Sequence, residues 1–373
     1  MKQRGVRKPL KSKADEAQLG FVAELLAERS REIGAGAAGR LAGQGVVGNA
    51  SDRVLWSQSL AARAIDLSGA IGAGRPELFA AQVAWSAVAL RVRGLEMGPL
   101  VQGLACLRDE VLAMVAPEDR GLIETYLGAA RERLAAGVEE PPSELSVGTP
   151  AGALASRYLL HILEGNRREA CAVVTRAVVD GRLTVRSAYR DVFTPVLREV
   201  GRLWHVGDIT VAEEHFVTAT TMMSMSQVLP MAPPAASSGR TLVAGSVSGN
   251  HHEVGARMVA DSFEMQGWRA VYLGANVPAE DFAGAAADFG ADAAALSVAL
   301  PGQLRELRVS ADALRRARPG ILIVAGGAAF GLAGGGAPGA LQLGKEHGAD
   351  VVGRDAEESH RMLMAVLEPS SGR

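Results

Sequence analysis

The chain has 373 residues, a formal net charge of −2, 48% hydrophobic residues and 21% charged residues. This length suggests two or three domains, and this balance excludes global disorder and a surface charged for nucleic acid. Two cysteines, Cys106 and Cys171, exclude a disulfide framework or a paired-cysteine metal knuckle and point to a reducing cytoplasm.

In chain order, residues 1–13 read MKQRGVRKPLKSK, with six Lys and Arg and no apolar core after them. They are expected to be a solvated, disordered tail rather than a signal peptide. From 14 to 137 the pattern is helical throughout, as in SDRVLWSQSLAARAIDLSGAIG and RPELFAAQVAWSAVALRVRG. Pro76 and Pro117 stand early in their segments, acids sit in first turns and glycines near the ends, so a bundle of about five helices is expected. Residues 138–150 form a proline-rich linker without periodicity. The region 151–235 again spaces apolar residues three and four apart, and PMAPPAASSGR closes it.

Over 241–368 the period changes. TLVAGSV, RAVYL, DAAALSV, ILIVAGG and ADVVG are short apolar runs alternating with helical patterns. They predict a doubly wound parallel sheet of five strands, giving a chain that is α/β plus all-α. No apolar run approaches the ~18 residues of a membrane span, so no membrane association is expected. Sheets of this kind bind ligands beyond the carboxyl ends of their strands. There, after the first strand, stands SGNHHEVG (248–255). Imidazole is the commonest metal ligand near neutral pH, and Asn250 can accept the ring N–H of His252. Gly255 lets a bulky group approach, and His251 is expected to face outward. A surface turn holding incidental histidines fits the local sequence equally well.

Asn250-His251-His252-Glu253-Val254-Gly255 resembles DxHxxG, the cobalamin-binding motif of the methionine-synthase and methylmalonyl-mutase type, with Asn in the Asp position. Ser297 in ALSVAL matches the serine of that family's SxL element, with Ala299 at the leucine position or Leu300 one place on. Gly326 and Gly327 match its glycine pair, and LGANVPAEDF and GADVVGRDAEE resemble two of its strand-to-helix turns. The resemblance implies a flavodoxin-like cobalamin-binding domain over 241–368. It places Asn250, His252, Glu253, Val254, Gly255, Ser297, Gly326 and Gly327 at the cofactor, with His252 as the lower cobalt ligand. Glycines suit a site where a long tail must slide between sheet and helices.

Upstream, GRLWHVGDITVAEEHFVT carries Trp204, nine intervening residues, then Glu214 and His215. A core aromatic and an acidic helix start would explain these residues too. The W-x9-EH spacing nevertheless resembles the four-helix cap of the CarH-like adenosylcobalamin photoreceptors, and that resemblance covers 151–367. It implies that Trp204 lies against the adenosyl group, that Glu214 bonds its ribose, and that Val211 and His215 shape the pocket. His205 would ligate cobalt once light removes the adenosyl group. A homo-oligomer whose association depends on light, and an unknown downstream protein partner, would follow. The family's DNA-binding helices have no readable counterpart in 14–137, so direct DNA binding is not expected.

Two other functions stay open, a corrinoid protein carrying methyl groups for a methyltransferase and a cobalamin-responsive regulator without photochemistry. No enzymatic activity is expected, and the methyl-carrying role is the enzymatic alternative. The bundle reads as a dimerisation or signal-transmission domain. By resemblance to the photocobilins it could instead hold biliverdin or another bilin, with Trp56, Trp85, Arg91, Arg93 and Tyr126 as candidate lining. Each of these is equally a core aromatic or a solvated charge, and Cys106 reads as a buried thiol.

Overall fold

A computed structural model describes residues 13–146, 148–332 and 336–368. The basic stretch expected to be a disordered tail lies, through residue 12, outside the described residues, and Lys13 already opens a helix. The chain divides into two compact units, one of residues 1–84 with 97–136 and one of residues 85–96 with 137–373.

The first unit is helical. It contains α1 (Lys13–Glu28), α2 (Ser30–Gly43), α3 (Ala50–Gly72), the start of α4 (Pro76–Val92), α5 (Gly98–Met114) and α6 (Arg120–Ala135). Asn49 caps α3 by accepting the Asp52 N–H, and Leu26, Ile33, Leu41, Leu67 and Phe79 are buried in its core. About five helices were expected; the extra one is α2, whose sequence SREIGAGAAGRLAG has glycines that lower helix propensity. Packing explains it. A Cβ on Gly34 would stand 2.4 Å from the Ser57 carbonyl oxygen, so glycine permits the close approach of α2 to α3. Residues 85–96, which the periodicity assigns to the bundle, group with the second unit.

The second unit begins with a helical layer of α7 (Pro150–Leu163), α8 (Arg167–Val179), α9 (Val185–Ala188), α10 (Thr194–Val206) and α11 (Val211–Val228). A π turn at Tyr189–Phe193 joins α9 to α10 into one helical run, with the Thr194 N–H donating to the Tyr189 carbonyl. The widened turn precedes Pro195, whose ring would crowd the Asp191 carbonyl in a regular helix. Gly207, at φ 81°, ends α10, and a reciprocal Thr210–Glu213 capping box starts α11. Four rods thus surround a core containing Tyr158, Phe193, Val196, Val217 and Met225.

The α/β layer contains β1 (Thr241–Val247), α12 (Val254–Glu264), β2 (Arg269–Val277), α13 (Ala279–Asp288), β3 (Ala293–Ser297), α14 (Leu304–Ala317), β4 (Leu322–Gly326), α15 (Ala328–Gly331), α16 (Gly336–Glu346), β5 (Val351–Val352) and α17 (Ala356–Leu367). The strands are all parallel, in the order β2-β1-β3-β4-β5. This is the expected α/β plus all-α architecture. The order reverses between β1 and β3, where doubly wound sheets open a crevice, and the SGNHHEVG loop leaves β1 at that point. Among the described residues no helix is long and apolar enough to cross a membrane.

Candidate functional site

Asn250 is fully buried and organises the loop after β1. Its Nδ2 donates to the Ser297 carbonyl at 2.9 Å, while its Oδ1 accepts the His252 backbone N–H at 3.0 Å. The same Oδ1 lies 3.1 Å from His252 Nδ1. Because the amide nitrogen is committed to a carbonyl, the oxygen faces the imidazole, and an oxygen there only accepts. His252 therefore carries its proton on Nδ1, and its Nε2 lone pair is free on an exposed ring. His251 is exposed as well.

Two residues without a motif hold this loop. Asn276, itself at φ 52°, accepts the Gly249 N–H at 2.7 Å and donates its own N–H to the Asn250 carbonyl at 2.9 Å. Gln303 donates to the Gly249 carbonyl at 2.9 Å and accepts the N–H groups of Ala299 and Leu300, each at 3.0 Å. The only sequence signal for Asn276 is its place in LGANVPAEDF; Gln303 has none. Glu253 accepts the Tyr272 hydroxyl at 2.9 Å.

The glycines divide into two kinds. A Cβ on Gly327, at φ 114°, would lie 2.2 Å from the Val298 carbonyl oxygen, so only glycine fits there. A Cβ on Gly255 would meet nothing within 4 Å. Gly255 instead faces a cavity of about 330 Å³ between α12 and the carboxyl ends of β3 and β4, lined also by Val259, Ser262, Ser297, Gly326 and Gly353. Tyr189 and Thr194 of the π-turn region and the arginines Arg186, Arg190, Arg198 and Arg354 border the same space. The Tyr189 hydroxyl donates to Asp261 Oδ2 at 2.7 Å. Burial raises the Asp261 carboxyl pKa, partly offset by that bond and by Arg257.

The W-x9-EH residues flank one turn. Trp204 and His205 close α10, and Val211, Glu214 and His215 open α11. Trp204 is half-buried against the helical core, to which Val254 and Met258 of α12 also belong. Glu214 accepts the Thr218 hydroxyl at 2.9 Å and pairs with His215 Nδ1 at 2.5 Å; His215 and Val211 are exposed.

His205 is buried. Its ring stacks on Trp85 at 4.2 Å between centroids and 8° between planes, and its Nε2 donates to the Trp85 carbonyl at 2.7 Å. Burial lowers its pKa, so the ring is neutral at pH 7. Arg93 donates to the carbonyls of His205 (2.9 Å) and Trp204 (3.0 Å), and Arg91 donates to Val138 O.

The residues named as candidate bilin lining, Trp56, Trp85, Arg91, Arg93 and Tyr126, have the following surroundings. The two arginines satisfy backbone carbonyls, and Trp85 packs on Trp204 and His205, all within the second unit. In the first unit, Trp56 lies against Gly103 and Tyr126 is buried. Cys106 is buried too, which raises its thiol pKa.

Two family profiles described as a B12 binding domain match the chain, one over residues 154–229 and one over 240–359. The HTH-type transcriptional repressor CarA of Myxococcus xanthus is 33% identical over 200 residues, which cover 52% of this chain and 64% of that protein. The repressor CarH of the same organism is 32% identical over 143 residues, covering 38% of this chain and 47% of that protein. The chain thus spans less than two thirds of the length of these relatives. A solved structure of the Methanosarcina barkeri monomethylamine corrinoid protein aligns with a TM-score of 0.48 and 18% identity, over 56% of this chain and 96% of that one. Over residues 154–229 and 240–359 the chain therefore matches B12 binding domains and is similar in sequence to the repressors CarA and CarH.

Proposed function

We propose that the chain is a cobalamin-dependent regulator that responds to light through adenosylcobalamin. The observation that carries the reading is the Asn250–His252 pair, which leaves one oriented, unprotonated and exposed imidazole nitrogen at the switch point of the sheet. A single imidazole is one donor, so the metal it binds must bring its other ligands along, as cobalt in a corrin does. The neighbouring residues fit that group. Gly255 opens onto space rather than protein, and the cavity behind it offers a tail room between α12 and the sheet.

When bound, adenosylcobalamin supplies a cobalt–carbon bond that visible light breaks. His252 would ligate the cobalt and Asn250 would fix its ring. Trp204, Val211, Glu214 and His215 would meet the adenosyl group, and such a bulky polar set suits it better than the open access a methyl carrier needs. Val254 and Met258 tie α12 to the core of the helical layer, so a change in that layer is felt at the loop. The output is a change in association, of the chain with itself or with a protein partner. The likeness to two transcriptional repressors supports a regulatory role. The bundle serves dimerisation or transmission, with a site for biliverdin as the alternative.

The test is reconstitution with adenosylcobalamin in the dark, followed by spectra and molecular mass before and after illumination. A light-dependent spectrum with a change in mass is expected. A photostable spectrum overturns the reading, and turnover of bound methylcobalamin by a methyltransferase would install the carrier instead. A long-wavelength band on adding biliverdin would overturn the assignment of the bundle.

A further inference from the structure

We propose that the segment Trp85–Arg93 is a latch on His205, and that the imidazole becomes available as a ligand only when this segment lets go. The inference rests on the reading above, in which His205 ligates cobalt after light. Three contacts make the latch. One of the two ring nitrogens, Nε2, is spent as a donor to the Trp85 carbonyl. One face of the ring is covered by the Trp85 indole. The end of α10 is capped by both arms of the Arg93 guanidinium, one on the His205 carbonyl and one sharing the Trp204 carbonyl with the Gly207 N–H.

Gly207 completes the arrangement. Its absent Cβ would stand 3.6 Å from the Arg93 Cγ and Nε, and its positive φ lets the chain turn away directly beneath that side chain. The latch is also not an isolated loop. It is the last part of α4, a helix that runs without a break from the first unit into this one. Freeing His205 therefore displaces the end of α4.

The experiment uses the full chain loaded in the dark with hydroxocobalamin, whose upper ligand is replaceable without light, and follows the absorbance change to the histidine-ligated form. Trp85→Ala and Arg93→Gln should each speed the His205-dependent change about 5- to 10-fold, the factor expected for losing one aromatic stack or one charge-assisted cap. His205→Gln should abolish it. If His205→Gln behaves as the unaltered chain does, the ligation reading itself fails. If the change needs His205 but both latch variants keep the original rate, the latch alone fails. Trp85→Phe, which retains a stacked ring, should fall between and covers a Trp85→Ala protein that does not fold. A cofactor-free readout separates a latch from general packing. In apo Arg93→Gln, amide exchange should rise at residues 205–208 and stay unchanged in α7 and α8, whereas faster exchange throughout the helical layer would overturn the proposal.

Discussion

Replacing Asn250 by Asp restores the residue that the DxHxxG pattern leads one to expect, yet the structure makes it a destabilising change. Asn250 is fully buried, and its Nδ2 donates to the Ser297 carbonyl at 2.9 Å. In Asn250→Asp one carboxylate oxygen can still accept from His252, but the other faces that carbonyl, acceptor against acceptor. An unsatisfied buried acceptor costs about 1–3 kcal/mol, more when charged, so a loss of ~2–4 kcal/mol is expected at pH 8. For a domain of this size that is roughly 8–15 °C in melting temperature. The pH dependence has a definite sign. Burial and the opposing carbonyl raise the folded-state pKa of the new carboxyl, so the native state keeps a proton that the unfolded chain has released. The penalty is therefore complete above the folded pKa and fades on acidification, when the carboxylic acid can donate to Ser297. Melts of the apo protein at pH 5 and pH 8 test this beside Asn250→Ala, which should be destabilised without that pH dependence. Asn250→Asp melting with the unaltered protein at pH 8, or showing the same deficit at both pH values, would refute the argument.

Gly255→Ala should leave the apo protein as stable or up to ~1 kcal/mol more stable, since its Cβ meets nothing and Ala favours a helix. Cobalamin titrations should nonetheless show weaker binding; unchanged affinity would remove Gly255 from the site. Gly327→Ala should cost at least ~2 kcal/mol in urea melts, because its Cβ would lie 2.2 Å from the Val298 oxygen in a left-handed conformation. Gly34→Ala should likewise destabilise the first unit despite the better helix former, with the Ser57 carbonyl 2.4 Å away; a higher melting temperature would contradict the packing argument. Tyr189→Phe removes a bond that favours ionised Asp261. The raised Asp261 pKa makes the native state lose stability as pH climbs through it. In Tyr189→Phe that loss should deepen and move to higher pH, read from urea midpoints across pH 4–8; parallel profiles would count against it.

The strands were legible because buried parallel strands are short apolar runs, and the loop after β1 was legible because the β1–β3 switch point is where such sheets bind ligands. Asn250 and His252 were readable because they interact two residues apart. What holds them was not. Gln303 reaches the Gly249 carbonyl across 54 positions, and Asn276 reaches the Gly249 N–H across 27, so no local spacing encodes either contact. Helix α2 was hidden for the opposite reason, since glycine lowers local propensity while tertiary contact with α3 rewards it. Arg91 and Arg93 read as solvated charges or ligand partners because the sequence gives no hint of the distant carbonyls they bond. The partner of His205 lies 120 residues upstream, and only the fold reveals that this histidine is tied down.

The two histidines proposed as cobalt ligands are set in opposite states, and on that proposal this orders the events at the site. His252 is protonated on Nδ1 and exposes a bare Nε2. His205 is protonated on Nε2, the nitrogen that donates to the Trp85 carbonyl, and it is buried. Ligation through that nitrogen requires the proton to leave it for Nδ1, and a neutral imidazole changes tautomer by way of water. Water reaches the ring only after the indole and the carbonyl have withdrawn. On the proposal, opening of the Trp85–Arg93 segment would come first, transfer of the proton second and ligation third. On the proposed reading, a photolysed site would therefore wait for His205, and the latch would set the length of that wait.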